Sequence, residues 1–273
     1  MPIKITPGLV FSHVDRIELK GDLYLPDGAG PHPVLVVAPG GGWRRGDKAQ
    51  LAHWGSYLAA QGIAVFVIDY RRSTAGKVFP QNLEDVVSAL AFVRDQGLGL
   101  SLDAARLGLL GASAGAHLAA LAALDNADRP AFPVRVLVGV YGVYDLVTHW
   151  QTDLDRNQAP GEDPTERMLG ATPFEDQELY FQASPLRKVT YARNALKVLL
   201  IWGQEDSDIL PAQSEAFARS LRQARFMVRT IPVPGAGHFW FSEEQIASDT
   251  FSGAVAPRLG AFLRQHLLGG GRP

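Results

Sequence analysis

The chain of 273 residues is 47% hydrophobic and carries a net charge of −2, which suits one domain with a large core and offers no basic surface for nucleic acid. It has no cysteine, which excludes disulfides, thiol catalysis and thiolate metal sites and is consistent with a reducing, cytoplasmic compartment. Residues 1–20 show no apolar signal-peptide core, and the apolar runs elsewhere are far shorter than the roughly 20 residues of a membrane span.

The predicted elements alternate between strand-like and helix-like segments. An antiparallel hairpin comes first, with strands at 13–20 and 22–25 joined near Gly21. Short apolar runs then predict strands buried on both faces, and amphipathic or small-residue runs predict the helices between them. These strands are expected at 34–38, 63–68, 106–110, 134–141, 197–202 and 226–233, and the helices at 51–61, 83–96, 114–124, 212–223 and 255–268. The alternation predicts a single α/β domain over residues 1–273, with a mostly parallel sheet of about eight strands and helices on both faces.

The segment 148–190 interrupts this alternation. It is polar, contains four prolines and shows no clean period, and it is too long for a plain connection. Its aromatic residues, which include Trp150 and Phe174, indicate that it packs against something. We interpret it as a small cap or insertion over the carboxyl edge of the sheet, where open α/β folds bind ligands. A loose surface loop is the alternative.

The pentapeptide Gly111-Ala112-Ser113-Ala114-Gly115 lies between a predicted strand and a predicted helix. A strand, a sharp turn with Ser at its apex and a helix together form a nucleophile elbow. The two glycines are expected because a side chain on either flank of so tight a turn would collide with the neighbouring strand or helix. Ser113 is therefore the predicted nucleophile.

A Ser hydroxyl needs a base to take its proton, and the base needs a group that orients it. His238 follows the strand predicted at 226–233, and the run Glu205-Asp206-Ser207-Asp208 follows the strand predicted at 197–202. All lie past the carboxyl ends of strands, at the same sheet edge as Ser113, and the order Ser, acid, His is that of α/β-hydrolases. His238 is the predicted base and Asp206 the predicted acid, with Asp208 and Glu205 as alternatives.

A tetrahedral intermediate also needs hydrogen-bond donors for its oxyanion. The glycines after the strand predicted at 34–38 can turn their N–H groups into a pocket, so Gly41 and Gly42, together with Ala114 of the elbow, are the predicted donors. An ordinary loop is the alternative. No metal or cofactor motif is present, and no cofactor is expected.

Further aromatic and histidine residues are weaker candidates. Trp43, Trp150 and Phe239 are predicted to shape the substrate pocket, with core packing as the alternative. His117 lies four residues beyond Ser113 on the same predicted helix and is expected to pack behind the site. His149, near the predicted cap, is expected to be structural or on the surface, with substrate contact left open.

These motifs resemble those of α/β-hydrolase-fold esterases of the acetyl-esterase/lipase and feruloyl-esterase-like group. The similarity lies in the segment Pro39-Gly40-Gly41-Gly42-Trp43-Arg44-Arg45-Gly46-Asp47-Lys48, in Asp69-Tyr70-Arg71 and in the elbow with the helix after it. The C-terminal half resembles the kynurenine formamidase branch in Gly142-Val143-Tyr144-Asp145-Leu146 and Ala183-Ser184-Pro185-Leu186.

The resemblance implies an α/β-hydrolase fold and a cofactor-free serine hydrolase that acts on small to medium acyl esters through an acyl-enzyme. It places the catalytic acid on Asp206. Hydrolysis of an aryl formamide is the alternative, and a non-catalytic ligand-binding protein on the same scaffold is less favoured. The expected partner is a small-molecule ester, and the assembly, a monomer or a homodimer, is left open.

One position departs from the family pattern. The oxyanion segment usually begins with His, and here it begins with Pro39. Proline has no N–H donor, so a different hydrogen-bond scheme must hold this loop.

Overall fold

The computed structural model describes residues 2–14, 16–124, 134–156 and 163–269. Its centre is one eight-stranded sheet in the order β1-β2-β4-β3-β5-β6-β7-β8. The strands are β1 (Ile3–Val14), β2 (Ile17–Pro26), β3 (His32–Ala38), β4 (Ala64–Ile68), β5 (Leu102–Ala112), β6 (Val134–Val140), β7 (Lys197–Gly203) and β8 (Met227–Val233). β2 pairs antiparallel with both β1 and β4, and all other pairs are parallel.

The helices of the described residues connect these strands and cover the sheet. They are α1 (Ala52–Ala59), α2 (Gln81–Gln96), α3 (Ala114–Leu124), α4 (Leu146–Asp155), α5 (Pro164–Leu169), α6 (Gln177–Ala183), α7 (Pro211–Gln223), α8 (Trp240–Glu243) and α9 (Phe251–Leu263). Successive residues of β3 from Pro33 to Ala38 are all buried, so both faces of the sheet are covered. This topology is the α/β-hydrolase fold, and the predicted fold class is confirmed.

The predicted position of the hairpin turn was wrong. The chain reverses between Val14 and Ile17, where Arg16 has a φ of 68°. Gly21 instead lies inside β2, where it pairs with Ile68 of β4. The sequence pattern missed this because β1 is an edge strand in which Phe11 is the one buried residue, so it carries little hydrophobic signal.

The segment 148–190 is mainly helical where it is described. It contains most of α4, then α5, α6 and a 3₁₀ turn at Pro185–Lys188, and residues 157–162 lie outside the described part. Side chains of Asp145, Asp163 and Asp176 cap α4, α5 and α6, each by accepting from backbone N–H groups of the first turn. None of the helices in the described part of the chain has the length and apolar character that crossing a bilayer requires.

The strand order sets the position of the site. β3 and β5 are neighbours with Ala38 opposite Gly111, so the loop after β3 lies beside the turn after β5. β7 and β8 are neighbours with Gly203 opposite Val233, so the loops after these two strands also lie side by side. All four loops leave the carboxyl edge of the sheet, which is where this fold class binds ligands.

Candidate active site

Ser113 lies on a strained turn between β5 and α3. Its φ is 53°, in the left-handed region that a side chain rarely adopts, and its N–H donates to the Val140 carbonyl at 2.9 Å. The two flanking glycines allow this turn, because a Cβ at Gly115 would stand 2.1 Å from the Ala38 carbonyl oxygen and one at Gly111 would stand 2.2 Å from the Gly115 carbonyl oxygen. The turn has the geometry expected of a nucleophile elbow.

Ser113, His238 and Asp206 form a continuous hydrogen-bonded chain. Ser113 Oγ lies 3.1 Å from His238 Nε2, and His238 Nδ1 lies 2.7 Å from Asp206 Oδ2. The side chains of His238 and Asp206 are 3% and 0% exposed, so the pair is shielded from competing water. This is the arrangement in which a neutral imidazole accepts the Ser proton while the carboxylate holds its other ring nitrogen.

Asp206, rather than Asp208 or Glu205, is the acid that the structure brings to His238. The second oxygen of Asp206, Oδ1, accepts from the N–H groups of Asp208 at 3.0 Å and Ile209 at 2.8 Å. Asp208 thus contributes its backbone to the orientation of Asp206, and the Glu205 N–H donates to the Ala236 carbonyl at 2.9 Å. With Oδ1 held by two amides, Oδ2 is left to face the imidazole.

The loop after β3 brings the predicted oxyanion donors to Ser113. Gly41, Gly42 and Ala114 line one cavity with Ser113, and the backbone hydrogen bonds of the described turns and loops leave their N–H groups unused. Gly41 has a φ of 118°, and a Cβ there would stand 2.0 Å from the Arg45 carbonyl oxygen. The Gly41 carbonyl instead accepts from the N–H groups of Arg44 and Arg45, which closes the loop into a tight turn.

The bonding scheme that stands in for the missing His of the oxyanion segment is visible around this loop. The Tyr70 hydroxyl donates to the Pro39 carbonyl at 2.9 Å, and Trp43 Nε1 donates to His117 Nδ1 at 3.0 Å. His117 Nε2 lies 2.8 Å from the Ala183 carbonyl, which fixes the tautomer with the proton on Nε2. Burial lowers the pKa of His117 to about 4, so its Nδ1 stays free to accept. The loop is therefore braced by the Trp43–His117 pair and by the bond from Tyr70 to the Pro39 carbonyl, and not by a side chain at position 39.

The three aromatic residues predicted to contact substrate lie in different places. Phe239 lines the cavity and is 41% exposed, with its ring edge-on to His238 at 4.5 Å between centroids. Trp43 lines the cavity but is only 1% exposed, and it serves mainly to brace the loop. Trp150 is a correction, because it lines a separate cavity beside Phe174, where its Nε1 donates to Glu166 at 2.6 Å.

The cavity next to Ser113, termed the catalytic cavity, has a volume of about 240 Å³. Its inner wall contains Asp153, which sequence reasoning missed, and His149, for which it left substrate contact open. His149 and Asp153 of α4 line it, with His149 Nε2 3.3 Å from Asp153 Oδ2, and Asp153 Oδ1 lies 3.3 Å from an Arg156 nitrogen. Arg156 also donates to the carbonyls of Ser207 and Asp208, and so ties α4 to the loop that carries Asp206.

The groups of this wall have shifted pKa values. Burial, with the neighbouring Asp163 carboxylate as the next cause, raises the pKa of Asp153 to about 7. Burial, together with the positive charge of Arg156, lowers the pKa of His149 to about 3. The wall next to Ser113 is therefore polar, but His149 carries no charge near neutral pH.

A signal for this wall was present in the sequence. Leu146, His149, Trp150 and Asp153 recur at the spacing of one helix face, and Asp145 stands before them as a capping residue. The signal is weak because two of these four positions are polar, and a polar residue at a core position is normally counted against a buried helix face.

The chain is similar to one family profile and to curated proteins named as esterases. The BD-FAE family profile matches residues 21–221. Esterase LipC of Mycobacterium tuberculosis is 33% identical over 248 residues, which covers 86% of this chain and 59% of LipC. The probable carboxylic ester hydrolase LipM of the same organism is 33% identical over 222 residues, or 78% of this chain and 49% of LipM. The chain thus spans about half the length of these curated relatives.

Solved structures show the same fold. Carboxyl esterase 2 from the fungus Tuber melanosporum is 23% identical and has a TM-score of 0.78, over 97% of this chain and 87% of that one. Bacterial heroin esterase is 24% identical with a TM-score of 0.78, over 97% and 84%.

Proposed function

The chain belongs to the BD-FAE family, and from that premise we propose that it is a serine hydrolase that cleaves carboxylic esters of small to medium acyl groups. The observation that carries the proposal is the hydrogen-bonded chain from Ser113 through His238 to Asp206, with Asp206 held by two further amides. The names of the relatives, esterase and carboxylic ester hydrolase, support the same reaction class.

In the proposed reaction, Ser113 Oγ attacks the ester carbonyl carbon while His238 Nε2 takes the hydroxyl proton. The carbonyl oxygen becomes an oxyanion that accepts from the N–H groups of Gly41, Gly42 and Ala114, and each well-placed donor contributes about 3–4 kcal/mol to the transition state. Asp206 holds the imidazole tautomer and stabilises the imidazolium.

The tetrahedral intermediate then collapses. The bond from the carbonyl carbon to the alcohol oxygen breaks, and His238 gives its proton to the departing alkoxide, which leaves the acyl group on Ser113. Water attacks this acyl-enzyme with His238 again as base, and the second collapse releases the carboxylic acid and restores Ser113.

We also propose that the segment 148–190 acts as a cap on the active site. It supplies Asp153, Arg156 and Pro164 to the lining of the catalytic cavity. Because these side chains face Ser113 from outside the sheet, changes in this segment are expected to alter substrate range rather than the chemistry of the triad.

A labelling and turnover experiment tests the proposal. A fluorophosphonate probe should modify the wild-type protein at Ser113 and should not modify Ser113→Ala, while Ser88→Ala, a matched change on α2 away from the cavity, should label normally. The same three proteins are assayed on p-nitrophenyl acetate, a longer acyl ester and N-formylkynurenine.

Ser113-dependent ester turnover supports the proposal. A kcat/KM on N-formylkynurenine above that on every ester would replace it with the formamidase alternative. Failure of the probe to label folded protein would favour the non-catalytic ligand-binding alternative.

A further inference from the structure

A second cavity lies behind the inner wall of the catalytic cavity. It has a volume of about 180 Å³ and is lined mostly by aliphatic side chains and threonines, namely Leu186, Leu210, Ala212, Ala216, Thr148 and Thr152. Among the described residues, His149 alone lines both cavities. The imidazole of His149 is therefore the partition between the space next to Ser113 and an unused apolar space.

The partition is held in place from two sides. The His149 ring lies edge-on to Trp43 with 6.3 Å between ring centroids, and its Nε2 lies 3.3 Å from Asp153 Oδ2. His149 is 6% exposed, and its lowered pKa keeps it neutral, so no counter-ion or hydration shell competes for the space around it. A fixed, uncharged ring of this size acts as a wall for an apolar chain.

The geometry of ester cleavage indicates which substrate group meets this wall. The alcohol oxygen must lie near His238 Nε2, and the His238 ring is in edge-on contact with the exposed ring of Phe239. The carbonyl oxygen must face the N–H groups of Gly41, Gly42 and Ala114. The third substituent of the carbonyl carbon is the acyl chain, and it is left with the rest of the cavity lining, to which His149 belongs.

We propose that His149 is the specificity-determining residue of the acyl subsite, and that it restricts the enzyme to short acyl groups by closing off the second cavity. The proposal rests on the serine ester hydrolysis proposed above. It predicts that removal of the imidazole joins the two cavities and admits a longer, linear acyl chain along Leu186, Leu210 and Ala216.

The test compares wild type, His149→Ala and His149→Ser on p-nitrophenyl acetate, butyrate, hexanoate and octanoate. For wild type, kcat/KM should be highest on acetate or butyrate and fall at hexanoate. In both variants the optimum should move to hexanoate or octanoate. Each further methylene that becomes buried should raise kcat/KM about fourfold. The gain should appear mainly in KM, because the triad is unchanged.

Two controls assign the effect to the second cavity. His149→Leu keeps a side chain of similar size and should keep the short-chain preference without the imidazole. Ala216→Phe added to His149→Ala fills the second cavity from α7, at a position that does not line the catalytic cavity, and should cancel the gain on long chains. A parallel series of acetate esters with lengthening alcohols should show no shift, since the alcohol oxygen lies near His238 Nε2.

The outcomes separate the two proposals. Ser113-dependent acetate hydrolysis with an unchanged acyl profile in folded His149→Ala and His149→Ser overturns the assignment of His149 and leaves the proposed function standing. A shift in the alcohol series instead of the acyl series also overturns it. Absence of Ser113-dependent ester hydrolysis in wild type overturns both.

Discussion

The bond between Trp43 and His117 offers a quantitative test of how the oxyanion loop is held. The two side chains are joined at 3.0 Å in a fully buried setting, and the indole N–H has no other partner in the described hydrogen bonds. The perturbation is a double-mutant cycle of Trp43→Phe, His117→Leu and the two combined. Each single change removes one partner, and the double change removes both.

The expected magnitudes follow from the groups left unpaired. Trp43→Phe leaves the Nδ1 lone pair of His117 buried without a donor, at about 1–3 kcal/mol. His117→Leu leaves the indole N–H and the Ala183 carbonyl unpaired, at about 2–6 kcal/mol in total. In the double variant the indole and the imidazole are both gone. Only the Ala183 carbonyl stays unpaired there, so the loss of unfolding free energy should fall short of the sum of the single losses by about 2–6 kcal/mol.

The assay is urea unfolding at pH 7.5 followed by far-ultraviolet circular dichroism, since Trp43 itself contributes to the fluorescence. Folded Trp43→Phe is then assayed on an acetyl ester. Because Gly41 and Gly42 precede Trp43 directly, their N–H groups should lose alignment, and kcat should fall by about 10- to 100-fold with a smaller change in KM. Additive stability losses, or full kcat in Trp43→Phe, would refute the idea that His117 braces the loop through Trp43.

Three further predictions concern the acid, the buried carboxyl and the loop. Asp206→Asn should lower kcat by several orders of magnitude, but by less than Ser113→Ala. Asp208→Asn keeps the backbone N–H that binds Asp206 and should retain most activity. The reverse pattern in steady-state kinetics would move the acid to Asp208. Burial raises the pKa of Asp153 from 3.8 to about 7, so between these values the native protein binds more protons than the unfolded chain and stability falls as pH rises. Asp153→Asn should remove this fall, which amounts to at most about 4 kcal/mol of unfolding free energy at pH 8. Melting temperatures of the two proteins that run parallel from pH 4 to pH 8 would contradict this prediction. Gly41→Ala should abolish activity or folding, because its Cβ would stand 2.0 Å from the Arg45 carbonyl oxygen. Gly42→Ala should fold at a cost of about 1–2 kcal/mol, because its Cβ meets nothing nearer than 3.8 Å. Equal effects of the two changes on kcat and on the urea midpoint would argue against this loop geometry.

The central sheet and the residues of the proposed triad were predictable because each depends on local pattern. Buried parallel strands such as β3 and β4 are continuous apolar runs, and the turn at Ser113 needs small flanking residues whatever lies around it. The edge strand β1 and the helices of 148–190 were not predictable in this way. β1 is stabilised by its register with β2. The start of α4 is held by the distant Gln213, whose side chain accepts from the N–H groups of Tyr144 and Asp145 just before the helix.

The choice among neighbouring acids shows the limit of the sequence most clearly. Glu205, Asp206 and Asp208 follow the same strand, and no local rule separates them completely. The structure brings Asp206 to His238, because the N–H groups of Asp208 and Ile209 turn back onto one of its oxygens and leave the other for the imidazole.

The sequence by itself determined the fold class and the residues proposed for acyl transfer, because strand periodicity and the requirements of a tight turn depend on adjacent residues. Only the tertiary structure decided which groups surround that chemistry. His117 supports Trp43, Trp150 lies away from the cavity, and His149 separates two cavities. Each of these contacts joins segments far apart in the chain, and their distances are set by the packing of helices on the sheet, which no local pattern specifies.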